Sequence, residues 1–241
     1  MGLSLAYAPF MLLAMAVFVL ARRCFPAPGS SALTVTQRRG LAVAGFVGGV
    51  LGAKLPFAFD GDDWLWSAWL ADGKTVTTGL VGAYLGVELA KWVLGVQTKT
   101  GDGFALPLAL SLAVGRLGCF FHGCCHGIPT DLPWGVDFGD GIKRHPTQLY
   151  ESLFHLAMSG ILLIFLQRGW FRNQRLKFYL IGYAVFRFAT ELIRPEPRDR
   201  LGLTYYQWVA LLGATALALQ WWYDSPSARP SPDHRLTSET A

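Results

Sequence analysis

Seven apolar stretches mark this chain, at roughly 3 to 21, 41 to 59, 77 to 96, 104 to 121, 149 to 167, 178 to 193 and 201 to 223, with polar breaks between them. Each is near the length of about 20 residues that carries a helix across the hydrocarbon core of a bilayer. The pattern predicts an all-α integral membrane protein of about seven transmembrane helices. Pro56 and Pro107 fall inside the second and fourth stretches, which a membrane helix tolerates because its neighbours re-satisfy the freed carbonyl. Gly48 with Gly52, and Gly82 with Gly86, carry the four-residue spacing that lets two helix backbones approach closely.

The polar breaks set the expected orientation. Alternate breaks hold eleven lysines and arginines, from Arg22 and Arg23 through Arg168, Arg172, Arg175 and Lys177 to Arg235, and the others hold six, diluted by aspartates. The richer side is expected to be cytoplasmic, which puts the N-terminus outside and the C-terminus inside. Trp64, Trp66 and Trp69, and Trp221 with Trp222 and Tyr223, read as interfacial aromatic anchors. The first apolar run has no basic segment before it and no A-x-A site after it, so it is expected to stay as the first span.

Composition strengthens this picture. Hydrophobic residues make up 52% of the 241 positions and nine are tryptophan. The net charge of +5 sits in short clusters and not in a stripe that tracks phosphates, so no nucleic-acid partner is expected. No internal repeat or soluble second domain is visible. Residues 1–223 are expected to form one membrane domain, and residues 224–241, rich in Ser, Pro and charge, a disordered cytoplasmic tail.

Chemistry concentrates between Gly115 and Gly127, where Arg116, Cys119, His122, Cys124, Cys125 and His126 fall within one short stretch. An arginine at the end of an apolar helix needs a partner, a wet cavity or an anionic ligand. The predicted topology brings Arg116 to the outer end of the fourth helix. Arg144, His145, Gln148, Tyr150 and Glu151 arrive at the same level at the start of the fifth, and Tyr183, Arg187 and Glu191 on the sixth. Arg187 and Glu191 share a helix face and are expected to pair. Two arginines with one committed carboxylate leave positive charge free, and guanidinium forks match phosphate oxygens, so a phospholipid headgroup is the expected ligand. Glu88 with Lys91 reads as a structural pair at the inner end. The cysteines and histidines leave several readings open: a zinc or copper site, against which the crowded spacing argues, a thiol redox centre, packing, or part of a catalytic pocket.

Gly115-Arg116-Leu117-Gly118, then Gly127, then Arg144-His145-Pro146-Thr147-Gln148-Leu149-Tyr150-Glu151, then Gly182-Tyr183 with Arg187 and Glu191, resemble the prolipoprotein diacylglyceryl transferase family. The likeness extends from the first helix to about residue 215. It implies an enzyme of the bacterial inner membrane, its site facing the outer leaflet, that moves a diacylglyceryl group from phosphatidylglycerol to the lipobox cysteine of a prolipoprotein signal peptide. Arg116, Gly127, Tyr183, Arg187 and Glu191 carry over as functional positions, and Tyr7 matches the family's N-terminal tyrosine loosely. The chain departs from the family where an essential histidine gives way to Thr77-Thr78-Gly79. It departs again where two asparagines and a glutamate give way to Cys119, His122 and Cys124.

The expected catalytic set is therefore Arg116, His122, His145, Arg187 and Glu191, with His122 or His145 as the base. Gly115, Cys119, Cys124, Gly127, Arg144, Gln148, Tyr150, Glu151 and Tyr183 are expected to bind substrate. No cofactor and no metal is expected. The alternatives are a paralogue with a different acceptor, or a thiol-redox or metal-handling membrane protein built on the Cys/His cluster.

Overall fold

The computed structural model describes residues 4–26, 33–58 and 75–224. Trp64, Trp66 and Trp69 and the tail beyond 224 lie outside them. The helices are α1 (Ser4–Cys24), α2 (Val35–Ala58), α3 (Val76–Val93), α4 (Asp102–His122), α5 (Thr147–Arg168), α6 (Arg175–Thr190) and α7 (Tyr205–Asp224). A 3₁₀ turn, Glu191–Ile193, prolongs α6, and a two-stranded antiparallel hairpin, β1 (Val136–Asp137) and β2 (Lys143–Arg144), lies between α4 and α5. Each predicted apolar stretch is a helix among the described residues. Four of them, at Tyr7–Cys24, Val35–Phe57, Asp102–His122 and Thr147–Arg168, are long and apolar enough to cross a membrane.

The starts of α2 and α7 differ most from the hydropathy pattern, both for the same local reason. Thr34 accepts the Gln37 amide while Gln37 accepts the Thr34 amide, and Thr204 and Gln207 do the same. These reciprocal caps satisfy otherwise orphaned N–H groups and start α2 at Val35 and α7 at Tyr205. Asp224, expected to open the tail, is the last residue of α7 and pairs with Lys99 at 3.1 Å and with Lys177.

The helices pack as neighbours. α1 lies antiparallel to α4, with Tyr7 against His122 at one end and Arg22 donating to the Gly103 carbonyl at the other. α2 meets α3 through the glycines expected to pack: a Cβ on Gly48 would strike the Gly82 carbonyl, and a Cβ on Gly82 the Gly48 carbonyl. The core joins α4, α5 and α6 through Ala105, Leu106, Ala109, Met158, Leu162, Tyr179 and Leu180. Small residues on α4 bring its backbone close to α5, where the Ser152 hydroxyl donates to the Ala113 carbonyl at 2.8 Å.

Polarity is arranged as a bilayer requires. Leu12, Phe46 and Trp92 are 67%, 72% and 81% exposed, while Gln148, Glu151, His155 and Glu191 are fully buried. One end of the bundle is tied by Asp102, whose carboxylate accepts the Asn173 and Arg175 amides and so caps α6. The other end holds Arg116, about 21 Å away along α4 at 1.5 Å per residue. Glu88 and Lys91 pair at 3.1 Å, as expected.

Candidate active site

Glu151 is the hub of the second polar layer. It stands one turn into α5, and its carboxylate is in direct contact with Arg116 of α4. It also lies 3.6 Å from Arg187 Nη1 of α6 and 3.4 Å from Arg194 Nη2, just beyond the 3₁₀ turn. The Tyr183 hydroxyl donates to Glu151 at 3.1 Å. Tyr183, Arg187 and Glu191 follow one another at four-residue spacing, so α6 turns all three toward the same place. Arg187 pairs with Glu191 at 2.8 Å, as its spacing predicts.

Three buried guanidiniums face two buried carboxylates, which leaves one positive charge unmatched. The Nε atoms of Arg116, Arg187 and Arg194 have no hydrogen-bond partner among the described residues. A buried donor left unsatisfied costs about 1–3 kcal/mol. An anion with several oxygens relieves that cost at several donors together. Burial holds Arg194 down to about 10, and the neighbouring Arg187 and Arg116 charges push the same way. The cluster is short of negative charge.

The loop after α4 is stitched to α5 by its own backbone. Gly123 ends the helix at φ +75°, and Cys125 follows at φ +64°. Gln148 donates to the Cys124 carbonyl at 2.5 Å, and Thr147 to the Cys125 carbonyl at 2.7 Å. The Gly127 amide donates to the His145 carbonyl, and the Ile128 amide to the Ile193 carbonyl. Gly127 must be glycine on space alone, since a Cβ there would sit 2.5 Å from the Ile193 oxygen and 2.8 Å from the His145 Cβ. The stitch matters because Ile193 immediately precedes Arg194.

The Sγ atoms of Cys119, on the last turn of α4, and of Cys124 and Cys125 in this loop lie within 4.8 Å of one another, and all three thiols are free. Arg116 Nη1 lies 3.8 Å from the Cys119 sulfur. Hydrogen bonds from Cys119 and Cys124, reinforced by the charges of Arg116 and Arg194, pull Cys125 well below the ordinary thiol value. Cys124 is pushed up, chiefly by its bonds to Cys119 and Cys125.

Not every residue singled out in the sequence joins the cluster. His122 ends α4 with its ring 5.5 Å from that of Tyr7, and it is exposed. His145 Nδ1 is 3.3 Å from the Tyr150 hydroxyl, which also accepts from Trp134 at 2.8 Å, so His145 and Tyr150 belong to a separate chain of contacts. Arg144 lies in β2 and pairs with Asp140 at 2.6 Å. Gly115 faces α1, where a Cβ would touch Met11 at 3.5 Å. The sequence reading missed Arg194, which it counted only as loop charge. Its one signal was the three-residue spacing from Glu191. His155 stands one turn beyond Glu151 on α5. That ring is fully buried, with Nδ1 2.8 Å from the Tyr179 hydroxyl and Nε2 unpartnered among the described residues.

Comparison with known proteins completes the description. The sequence profile of the prolipoprotein diacylglyceryl transferase family matches residues 4–223. A protein of Vibrio vulnificus named phosphatidylglycerol–prolipoprotein diacylglyceryl transferase is 37% identical, the match covering 76% of this chain and 71% of that protein. The protein of the same name from Bordetella parapertussis is 33% identical over 78% of this chain and 76% of its own length. That of Clostridium tetani is 31% identical over 68% and 70%.

Proposed function

The chain belongs to the prolipoprotein diacylglyceryl transferase family, and from that premise we propose that it transfers a diacylglyceryl group from phosphatidylglycerol to the cysteine thiol of a prolipoprotein signal peptide. The observation that carries the reading is the buried cluster around Glu151, with three guanidiniums, an unmatched positive charge and three unpartnered Nε donors.

In this reading all seven helices span the bacterial inner membrane, with the N-terminus outside and the C-terminus in the cytoplasm. The Arg116 end faces the outer leaflet. The charge asymmetry of the loops supports this direction.

The phosphodiester of phosphatidylglycerol binds against Arg116, Arg187 and Arg194. Glu151 and Glu191 hold the guanidiniums in position, and Tyr183 fixes Glu151. The acceptor thiolate attacks the glyceryl carbon that bears the phosphate, the C–O bond breaks, and its electron pair goes to the departing phosphate oxygen. Donors already aimed at that oxygen stabilise the charge as it grows, the largest contribution such sites make. His122, exposed at the end of α4 beside Tyr7, is the imidazole that takes the thiol proton as general base. Gln148 and Gly127 keep the cysteine loop against α5, and the loop shapes the acceptor side of the site.

The test is direct. Purified protein is incubated with phosphatidylglycerol and a lipobox peptide, and mass spectrometry follows the diacylglyceryl thioether and the released glycerol phosphate. Both products are expected in equal amounts. A peptide left unmodified under conditions where the Vibrio vulnificus protein modifies it overturns the reading.

A further inference from the structure

Resting on the reading of the chain as a thiol-alkylating transferase, we propose that Cys119, Cys124 and Cys125 bind one zinc ion whose fourth coordination position takes the acceptor cysteine.

The three Sγ atoms lie within 4.8 Å of one another. Zinc–thiolate bonds of about 2.3 Å place tetrahedral sulfur ligands about 3.8 Å apart, so only small side-chain adjustments close the site. The spacing that argued against a metal in the sequence, a lone cysteine followed five positions later by an adjacent pair, works in three dimensions because the chain reverses at the end of α4. Gly123 adopts φ +75° and Cys125 φ +64°, and this turn brings the pair back to the helix end where Cys119 stands. The Cys124 amide donates to the Cys119 carbonyl, closing the turn.

The backbone of the site is held from outside. Gln148 and Thr147, both buried on the first turn of α5, bind the carbonyls of Cys124 and Cys125. Such support from outside the ligand set positions sulfur ligands before the metal arrives. Charge is compatible as well: three thiolates around a divalent ion carry one net negative charge, and the Arg116 guanidinium stands beside them, with Nη1 3.8 Å from the Cys119 sulfur.

No imidazole or carboxylate joins the three sulfurs among the described residues, and Cys125 is exposed. Zinc with three protein ligands and an open fourth position is the arrangement of catalytic sites, whereas structural sites close with four. Coordination deprotonates a thiol outright. The acceptor R–SH binds as R–S⁻ and its proton passes to solvent at the exposed Cys125 edge of the site. The zinc-bound sulfur forms the new C–S bond at the glyceryl carbon as the C–O bond to phosphate breaks, with the electron pair leaving on the phosphate oxygen. The thioether product, a weaker ligand than a thiolate, then dissociates. Zinc does not change oxidation state, and no oxidant or reductant takes part.

The experiment uses the full chain purified in detergent. Zinc is counted in the wild type and in the C119S/C124S/C125S variant, and the wild type is separately loaded with cobalt(II), whose thiolate charge-transfer absorption reports the coordination sphere. One zinc per chain is expected in the wild type and none in the triple variant. The cobalt spectrum is expected to change on addition of a cysteine-bearing lipobox peptide and to stay unchanged with its serine counterpart. Stripping the metal with a chelator is expected to lower transfer by about 100-fold, the order of a proton-transfer contribution, and re-addition of zinc to restore it. Absence of bound zinc while three thiols titrate as free overturns the proposal, as does a disulfide among them, or a cobalt spectrum indifferent to the cysteine peptide. Transfer that survives chelation unchanged overturns the zinc site and leaves the transferase reading standing. No transfer with or without zinc overturns the transferase reading, while the zinc count and cobalt spectrum, which need no lipid, are still read for the site.

Discussion

Arg194 Nη2 lies 3.4 Å from Glu151 Oε2 across 43 positions of chain, with both side chains buried. Glu151 also receives Arg116 and Arg187. One carboxylate therefore gathers three helix ends, and the geometry of the buried arginine cluster depends on it.

Replacing that carboxylate should unsettle the whole layer. Glu151→Gln leaves three buried guanidiniums with only Glu191 to offset them, and removing one partner of a buried ionic network costs about 3–5 kcal/mol. Glu191→Gln, which removes a single ion pair among the described residues, that with Arg187, should cost less. Unfolding of the two variants in detergent by heat or denaturant gives the order, and an E191Q loss equal to or larger than that of E151Q would show that Glu151 is not the hub.

The three arginines should separate by function. Arg116→Ala and Arg187→Ala are each expected to reduce transfer by about 10²–10³, the usual cost of one preorganised donor. Arg194→Lys retains the charge and loses the planar fork, so a smaller reduction is expected, on the order of tenfold. Initial rates of thioether formation at fixed phosphatidylglycerol measure all three. Full activity in the Arg194→Lys variant would remove that side chain's fork from the phosphate site.

Gly127→Ala tests the stitch between the cysteine loop and the turn that carries Arg194. The added methyl meets the Ile193 oxygen and the His145 Cβ, and overpacking of this kind costs about 1–3 kcal/mol. Gly160→Ala is the control, because a Cβ there meets nothing within 4 Å. The expected result is a lower melting temperature and slower transfer for the first variant and neither for the second.

The hairpin before α5 should respond to acid. The Asp137 carboxylate accepts the amides of Gly139, Asp140 and Gly141, and these bonds, that of Gly139 foremost, hold its pKa below the ordinary carboxylate value. A depressed carboxylate adds stability that is complete above its unfolded value of about 3.9 and disappears as pH falls through the lower folded value. Amide exchange at Gly139 and Gly141 should therefore stay protected down to about pH 4 and lose its protection below it. Asp137→Asn should show weak protection throughout, and protection in that variant matching the wild type at pH 6 would exclude the role.

Much of the site was legible in the sequence because helical spacing is enough to align some of its residues. Tyr183, Arg187 and Glu191 follow at four-residue intervals, so any helix there puts them on one face. The small residues Gly48 and Gly82 foretold a close helix pair for the same reason. The capped starts of α2 and α7 were equally available in Thr34 to Gln37 and Thr204 to Gln207, but hydropathy alone does not register a reciprocal hydrogen bond. Arg194 was not legible: a loop arginine next to prolines looks like surface charge until the 3₁₀ turn brings it back over Glu151.

What the sequence determined by itself is the set of local regularities: which stretches are helical, which side chains share a helix face, and that an arginine at the end of an apolar helix needs a partner. The family likeness in the motifs gave the chemistry to expect. Only the tertiary structure decided the partners, because Arg116, Glu151, Arg187 and Arg194 come from four separate segments and meet through the packing of α4, α5 and α6. It also decided that the cysteines are neighbours. Their spacing looks unlike a metal site along the chain, and the left-handed turn at Gly123 and Cys125 makes the three sulfurs neighbours in space.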